Sequence, residues 1–215
     1  MAAAAAAASE CPPANFSTAT GFDLDAFISG RWYVQQQMEV LYLPRSQNAC
    51  VYADYARRSP GFLGYEVAVH NHAEDALPPY AAHDSGSTLC AKVVDAASGK
   101  LAVAPCFLPP SLFAGPYWVL AFSQEEGYAL ISGGAPTKPS SHGGCSTGRG
   151  VNNAGLWIFT RGASRDQALV DKVRGIAAAK GFDLSVLNDV DQSRCTAADE
   201  VGPAAGPAGT LTAIV

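Results

Sequence analysis

Charge is scarce in this chain. Asp, Glu, Lys and Arg make up 15% of its 215 residues, against roughly 25% in an average globular sequence. The formal net charge is −5, and without a basic excess nucleic acid and anionic membranes are poor partners, since both reward clustered Lys and Arg. No apolar run approaches the roughly 18 residues of a spanning helix. No Cys-x-x-Cys pair or Cys/His cluster has zinc-ligand spacing. The four histidines converge on nothing evident: His70 and His72 share a strand face, but without a visible third ligand they read as a surface pair. Asp23, Asp25, Glu125 and Glu126 fall in turns or caps, where acids are ordinary. No catalytic residue, metal ligand or cofactor is expected.

Apolar residues, by contrast, reach 48%, enough for one substantial core. Six cysteines, Cys11, Cys50, Cys90, Cys106, Cys145 and Cys195, are scattered along the chain. An even, dispersed set reads as disulfides and implies an oxidising compartment, the alternative being buried free thiols in a cytosolic protein. Asn15-Phe16-Ser17 is a glycosylation sequon of low information. Met1 to Ala8 lacks the charged and leucine-rich regions of an intact signal peptide. It reads as the remnant of a trimmed targeting segment or as an artificial end. Residues 1–14 are expected to form an arm, 15–195 the folded domain, and 196–215 a low-complexity tail.

Between the ends, short segments alternate with turn signals. Gly30 to Met38 opens the series, with Trp32, Val34, Gln36 and Met38 placed on one face by the period of two. Tyr65, Val67 and Val69 alternate with polar residues. Val93 to Val103 folds back around Asp95 to Lys100, and Pro116–Phe122 joins Tyr128–Ser132 through residues 123–127, two hairpins with Gly in the loop. Leu156 to Arg161 is the last strong strand. The period then changes: Ser164 and Gln167 form a capping box, Leu169, Val173, Ile176 and Ala177 make an apolar stripe, and Gly181 marks a helix end. Many short strands with close turns mean an all-β sandwich or barrel, adjacent hairpins favour an antiparallel up-and-down barrel, and one C-terminal helix packs its stripe on the outside of the sheet. Gly133 to Gly155 reads as a long surface loop tied down by Cys145. Its Gly-rich part lacks the Gly-Lys-Ser/Thr end of a phosphate loop.

Four ordered segments carry a family resemblance. Gly30-Arg31-Trp32-Tyr33 resembles the Gly-x-Trp signature of lipocalins. Ala114 to Ala121 with Gly127 to Ile131, Leu156 to Arg161, and Asp189 to Cys195 are similar to the apolipoprotein D branch. A Ser-Gly-Gly-x-Pro-Thr run before Gly155-Leu156-Trp157-Ile158-Phe159 also resembles plastid and algal lipocalins related to the violaxanthin de-epoxidase barrel. The family's Thr-Asp-Tyr motif is replaced by Phe122-Ser123-Gln124, which puts the loop packing at the closed end in question.

The resemblance implies structural roles for Gly30, Trp32 and Arg161, the arginine lying across the tryptophan at the closed end over a plug of Phe22, Leu24 and Phe27. If Arg161 faces inward, so do Trp157 and Phe159, and Val34, Gln36, Met38, Trp157 and Phe159 become the expected ligand contacts. The resemblance implies an eight-stranded antiparallel up-and-down barrel with the C-terminal helix outside, and such a barrel is either filled by side chains or holds one small ligand. Matching to the family pattern pairs Cys11 with Cys145 and Cys50 with Cys195, leaving Cys90 and Cys106, which flank a hairpin. The implied function is to carry a small apolar molecule (lipid, fatty acid, carotenoid, retinoid or other pigment). The alternatives are a structural subunit associated peripherally with a thylakoid pigment–protein complex and a xanthophyll de-epoxidase-type enzyme, though the extra domains of that enzyme are missing. The implied compartment is the plastid or thylakoid lumen, or else the secreted space.

Overall fold

A computed structural model describes residues 10–195; the expected tail at 196–215 and the first nine residues of the arm lie outside them. Eight strands form the barrel: β1 (Trp32–Met38), β2 (Ala49–Arg57), β3 (Val67–Glu74), β4 (Leu89–Asp95), β5 (Lys100–Pro105), β6 (Gly115–Ser123), β7 (Tyr128–Ser132) and β8 (Leu156–Thr160). Each pairs antiparallel with the next, and β8 pairs back onto β1 to close the sheet. Closure leaves no hydrogen-bonding edge between these strands. Both expected hairpins form, with turns at residues 96–99 and 124–127. Four shorter strands add to this frame: Ala82–Asp84 on β3, Leu187–Asp189 on β1, and a separate ribbon of Lys138–Pro139 with Cys145–Ser146; a single helical turn, α2 (Pro110–Phe113), lies between β5 and β6.

Alternation along the strands divides the apolar residues between two cores. Trp157 and Phe159 join Trp32, Val34, Val51, Val69 and Val119 inside the barrel. Leu156 and Ile158, one step out of phase, pack outside with Leu130, Val173, Ala177 and Phe182. The outer partner is α3 (Gln167–Ala179), whose buried face is Val170, Val173 and Ala177, with Leu169 and Ile176 at its margins. The expected capping box does not form. Asp166 is the N-cap and accepts from the Leu169 N–H at 3.1 Å, while Gln167 is already helical and reaches Asp171. An aspartate caps at least as well as a serine, and it sits two residues nearer the stripe. Gly181, at φ +83°, follows the C-cap Lys180 as expected.

Gln36 and Met38, expected to face inward, face outward instead. A β-bulge at Gln35 shifts the β1–β8 register between Val34↔Phe159 and Gln36↔Ile158. One inserted residue reverses the facing of everything after it. Gln36 therefore points outside, where it donates to Asp189 (2.6 Å) and accepts from Arg174 (2.6 Å). Met38 packs in the outer core. Gln37, opposite Trp157, takes the inward position.

One end of the barrel is plugged. α1 (Leu24–Ile28) lies across it, N-capped by Asp23, and buries Leu24, Phe27 and Ile28. The Arg161 guanidinium stacks 3.6 Å from the Trp32 ring centroid. It donates to the carbonyls of Ala26 (2.8 Å), Phe27 (3.2 Å), Gly30 (3.0 Å) and Arg31 (3.2 Å), and to Gln124 Oε1 (2.9 Å). Burial pushes Arg161 down to about 10, so it stays charged at neutral pH. The residues that depart from the family motif are used here too: Gln124 supplies that acceptor, and Phe122 packs edge-on against Trp32 and Phe27.

Arg161→Ala removes a cation–π contact of roughly 0.5–2 kcal/mol and strips a cationic donor from several carbonyls. Urea denaturation should show a loss of about 2–4 kcal/mol, with affinity for an apolar probe changed by less than about twofold. Unchanged stability with lost binding would place Arg161 in the cavity instead.

Candidate functional site

The other end is open. Because the strands run up and down, the segments 39–48, 75–88, 106–114 and 133–155 all emerge opposite α1. Below them the barrel holds a cavity of about 490 Å³, within the range of small-molecule sites. The interior is open rather than filled. Its walls are mostly apolar, with Val34, Val51, Val69, Leu89, Val103, Trp157 and Phe159 among them. No Lys or Arg lines it.

Of the expected contacts, Val34, Trp157 and Phe159 line the cavity, whereas Gln36 and Met38 do not. Trp157 is held by its neighbour's lack of a side chain. A Cβ on Gly155 would come within 2.0 Å of the indole, and its φ of +103° also suits glycine alone. Trp32 lies deeper, stacked between Phe27 and Phe159, with its indole N–H on the Phe27 carbonyl at 2.7 Å. Gly30, at φ +85°, turns the chain from α1 into β1. The sequence reading missed Gln37, Ala53, Tyr55 and Tyr117. The inward period of β2, Val51-x-Ala53-x-Tyr55, was available to find two of them.

The long loop 133–155 forms one rim. Cys145 donates its N–H to the Gly181 carbonyl and is bonded to Cys11, while buried Thr147 bonds Gly155. Gly144-Cys145-Ser146-Thr147-Gly148 has Gly-x-Ser-x-Gly spacing, but Ser146 sits in a two-residue ribbon and not on the strand–turn–helix of a nucleophile elbow. The other two disulfides join Cys50 to Cys195 and Cys90 to Cys106. All three pairs are those expected above, and they fit an oxidising or extracellular compartment.

His70 and His72 are more engaged than a bare surface pair. Both rings meet Asp84, at 2.8 and 3.3 Å, and so fasten the segment 75–88 to β3. Burial alone would raise the Asp84 carboxyl, but the Gly86 N–H and the two imidazoles outweigh it and hold it below the usual range. Cys50, His72 and Glu74 form the one grouping of three potential metal ligands among the described residues. Its sulfur is spent in the Cys50–Cys195 disulfide, which leaves no thiolate to coordinate an ion.

A closed eight-stranded meander with a plugged end, an outer C-terminal helix and an apolar cavity is the lipocalin barrel. Solved structures of this fold are similar over most of their length. The cockroach allergen Per a 4 is 16% identical, with 85% of this chain and 95% of that chain covered and a TM-score of 0.54. Insecticyanin from the tobacco hornworm Manduca sexta is 14% identical, with 85% and 86% covered and a TM-score of 0.51. H1 crustacyanin from the lobster Homarus americanus is 13% identical, with 85% and 93% covered and a TM-score of 0.51. No protein-family model matches the chain, and neither does any curated protein sequence.

The bulge gives a test of which side chains face the cavity. Met38→Ala should lower stability by about 2–5 kcal/mol while changing the affinity of a fluorescent apolar probe by less than about twofold. Val34→Trp should fill the cavity and weaken the same probe at least tenfold, roughly 1.4 kcal/mol or more. Weaker probe binding in Met38→Ala at unchanged stability would return Met38 to the interior.

Proposed function

We propose that this protein carries a small, elongated apolar molecule (a lipid, carotenoid, retinoid or other pigment) in the barrel and does no chemistry on it. The observation that supports this best is the cavity: about 490 Å³, mostly apolar, blind at one end and open at the other. Val34, Trp157 and Phe159 are the proposed contacts of the sequence reading that line it, joined by Gln37, Val51 and Val103. Burying roughly 500 Å² of ligand surface is worth about 12 kcal/mol at ~25 cal/mol/Å². Lost translational and rotational freedom costs at least about 4 kcal/mol. The remainder, near 8 kcal/mol, corresponds to a dissociation constant of about 1 μM.

A second reading, peripheral association with a membrane protein complex, is favoured by the rim. Of the ten exposed large hydrophobic residues among the described residues, eight lie on the four open-end segments: Leu41, Tyr42, Leu77, Tyr80, Phe107, Leu112, Phe113 and Val151. An apolar crown around a mouth suits transfer of an insoluble cargo to or from another apolar surface. The disulfides favour an oxidising compartment. The plastid resemblance favours a thylakoid lumen, with secretion as the alternative.

Titration with carotenoids and retinoids should quench tryptophan emission with micromolar midpoints, and Trp157→Phe should remove most of the response. If no apolar ligand alters the emission and none is found by mass spectrometry of natively purified protein, the carrier reading falls. Co-purification of the empty protein with a large membrane complex would then favour the second reading.

A further inference from the structure

Tyr55 on β2 and Tyr117 on β6 come from opposite walls of the barrel, and their hydroxyl oxygens lie 2.6 Å apart. They form a polar bar across the lumen. The Tyr55 ring packs on Phe27 of the plug, 5.3 Å between centroids, so the bar is the cavity floor. Both side chains are deep in the protein yet keep surface open to the cavity.

Counting hydrogens exposes an imbalance. Two phenols bring two O–H groups, and the 2.6 Å contact uses one. The second O–H has no acceptor among the described residues. A buried donor without a partner is costly, and the open direction for this one is the cavity. Burial pushes both phenols well above their ordinary value, so both remain protonated donors at any physiological pH.

We propose that the Tyr55–Tyr117 pair binds a terminal oxygen of the cargo, and that the cavity selects a neutral, oxygen-ended hydrocarbon or polyene over a fatty-acid-type carboxylate. This rests on the carrier reading above and narrows its ligand class. A terminal carbonyl accepts the spare O–H; a terminal hydroxyl accepts it too. A carboxylate would reach the same floor without a cation: no Lys or Arg lines the cavity. Arg161 acts on Tyr55 only across a distance: it lies behind Trp32, outside the cavity lining, with its Nη hydrogens on carbonyls and Gln124 and its Nε–H buried without an acceptor among the described residues. Desolvating an anion that meets one neutral O–H donor and no paired cation is strongly unfavourable.

Four retinoids share one skeleton and differ at the end: retinol, retinal, retinoic acid and the oxygen-free anhydroretinol. Each is titrated at pH 8 while tryptophan emission is followed. Retinol and retinal are expected to bind about tenfold more tightly than anhydroretinol, one net hydrogen bond, and retinoate no better than anhydroretinol. Either single Tyr→Phe variant keeps one O–H and retains the preference. The double variant Tyr55→Phe/Tyr117→Phe has none, so its preference falls to within about twofold while anhydroretinol affinity is unchanged. Replacing both partners by isosteric phenyl rings is nearly neutral for folding, which a melting curve checks. A preference that survives in the double variant, or retinoate binding as tightly as retinol, overturns the proposal and leaves the carrier reading standing. Failure of all four probes would overturn the proposal as well, and the carotenoid titration with mass spectrometry of natively purified protein then decides the carrier reading separately.

Discussion

The stack of Arg161 on Trp32 is the contact from which the rest of the molecule takes its shape. It joins the first residue beyond β8 to the first residue of β1, across the seam where the sheet closes on itself. The same guanidinium holds carbonyls of α1, whose orphaned C-terminal acceptors would otherwise need water at a buried site. Seam, plug and closed end are thus one unit. With that end sealed by Phe22, Phe27, Trp32 and Phe122 packed ring against ring, the lumen above becomes a cup and not a channel.

A cup needs its wall residues to face inward, and β1 shows how narrowly that is set. Three successive glutamines occupy the strand, all buried. The bulge sends Gln35 and Gln36 outward and Gln37 inward. Outward, Gln35 donates to Thr160 and the Gly162 and Ala163 carbonyls, while Gln36 joins Asp189 and Arg174. Their amide N–H groups are bonded, as buried donors require, although the Gln35 and Gln37 side-chain carbonyl oxygens have no partner among the described residues, and these networks anchor the α3 side of the barrel. Without the bulge, Met38 would enter the cavity and its place in the outer core would be empty.

Much of this was legible in the sequence, for identifiable reasons. Period-two alternation in Leu156–Thr160 assigns Trp157 and Phe159 to one face whatever surrounds them, and a change of period marks the helix. Trp32 and Arg161 were placed by resemblance, since no local property of two residues 129 apart announces a stack. The bulge was not legible: three identical residues offer no facing preference, and the inserted residue is selected by pairing with β8, which is far away in the chain. The helix cap slipped by two because Ser164 and Asp166 are both competent and local chemistry does not rank them. Tyr55 and Tyr117 escaped notice for a similar reason. Each is an ordinary strand tyrosine, and the pair exists only across the closed lumen.

The two ends of the barrel are held by different physics, and the difference follows from the cavity. At the closed end, aromatic packing and one buried cation supply cohesion. At the open end an apolar core is impossible, because the space it would fill is the cavity. Two of the three disulfides are found there: Cys50 lies at the start of β2 and Cys145 in the 133–155 loop, while Cys90–Cys106 closes the β4–β5 hairpin and packs on Leu63 and Tyr65. Two of them reach out to tie down Cys11 in the arm and Cys195 after the last strand. Their spans of 134 and 145 residues are of the length for which cross-linking restricts the unfolded chain most, by roughly 4–5 kcal/mol each in the chain-entropy account. Covalent ties do not need to exclude water, so they can hold rim loops in place around an open mouth. A rim built this way can leave Leu41, Leu77, Leu112 and Val151 exposed without unravelling, and those side chains are then free to meet whatever enters or leaves the cup.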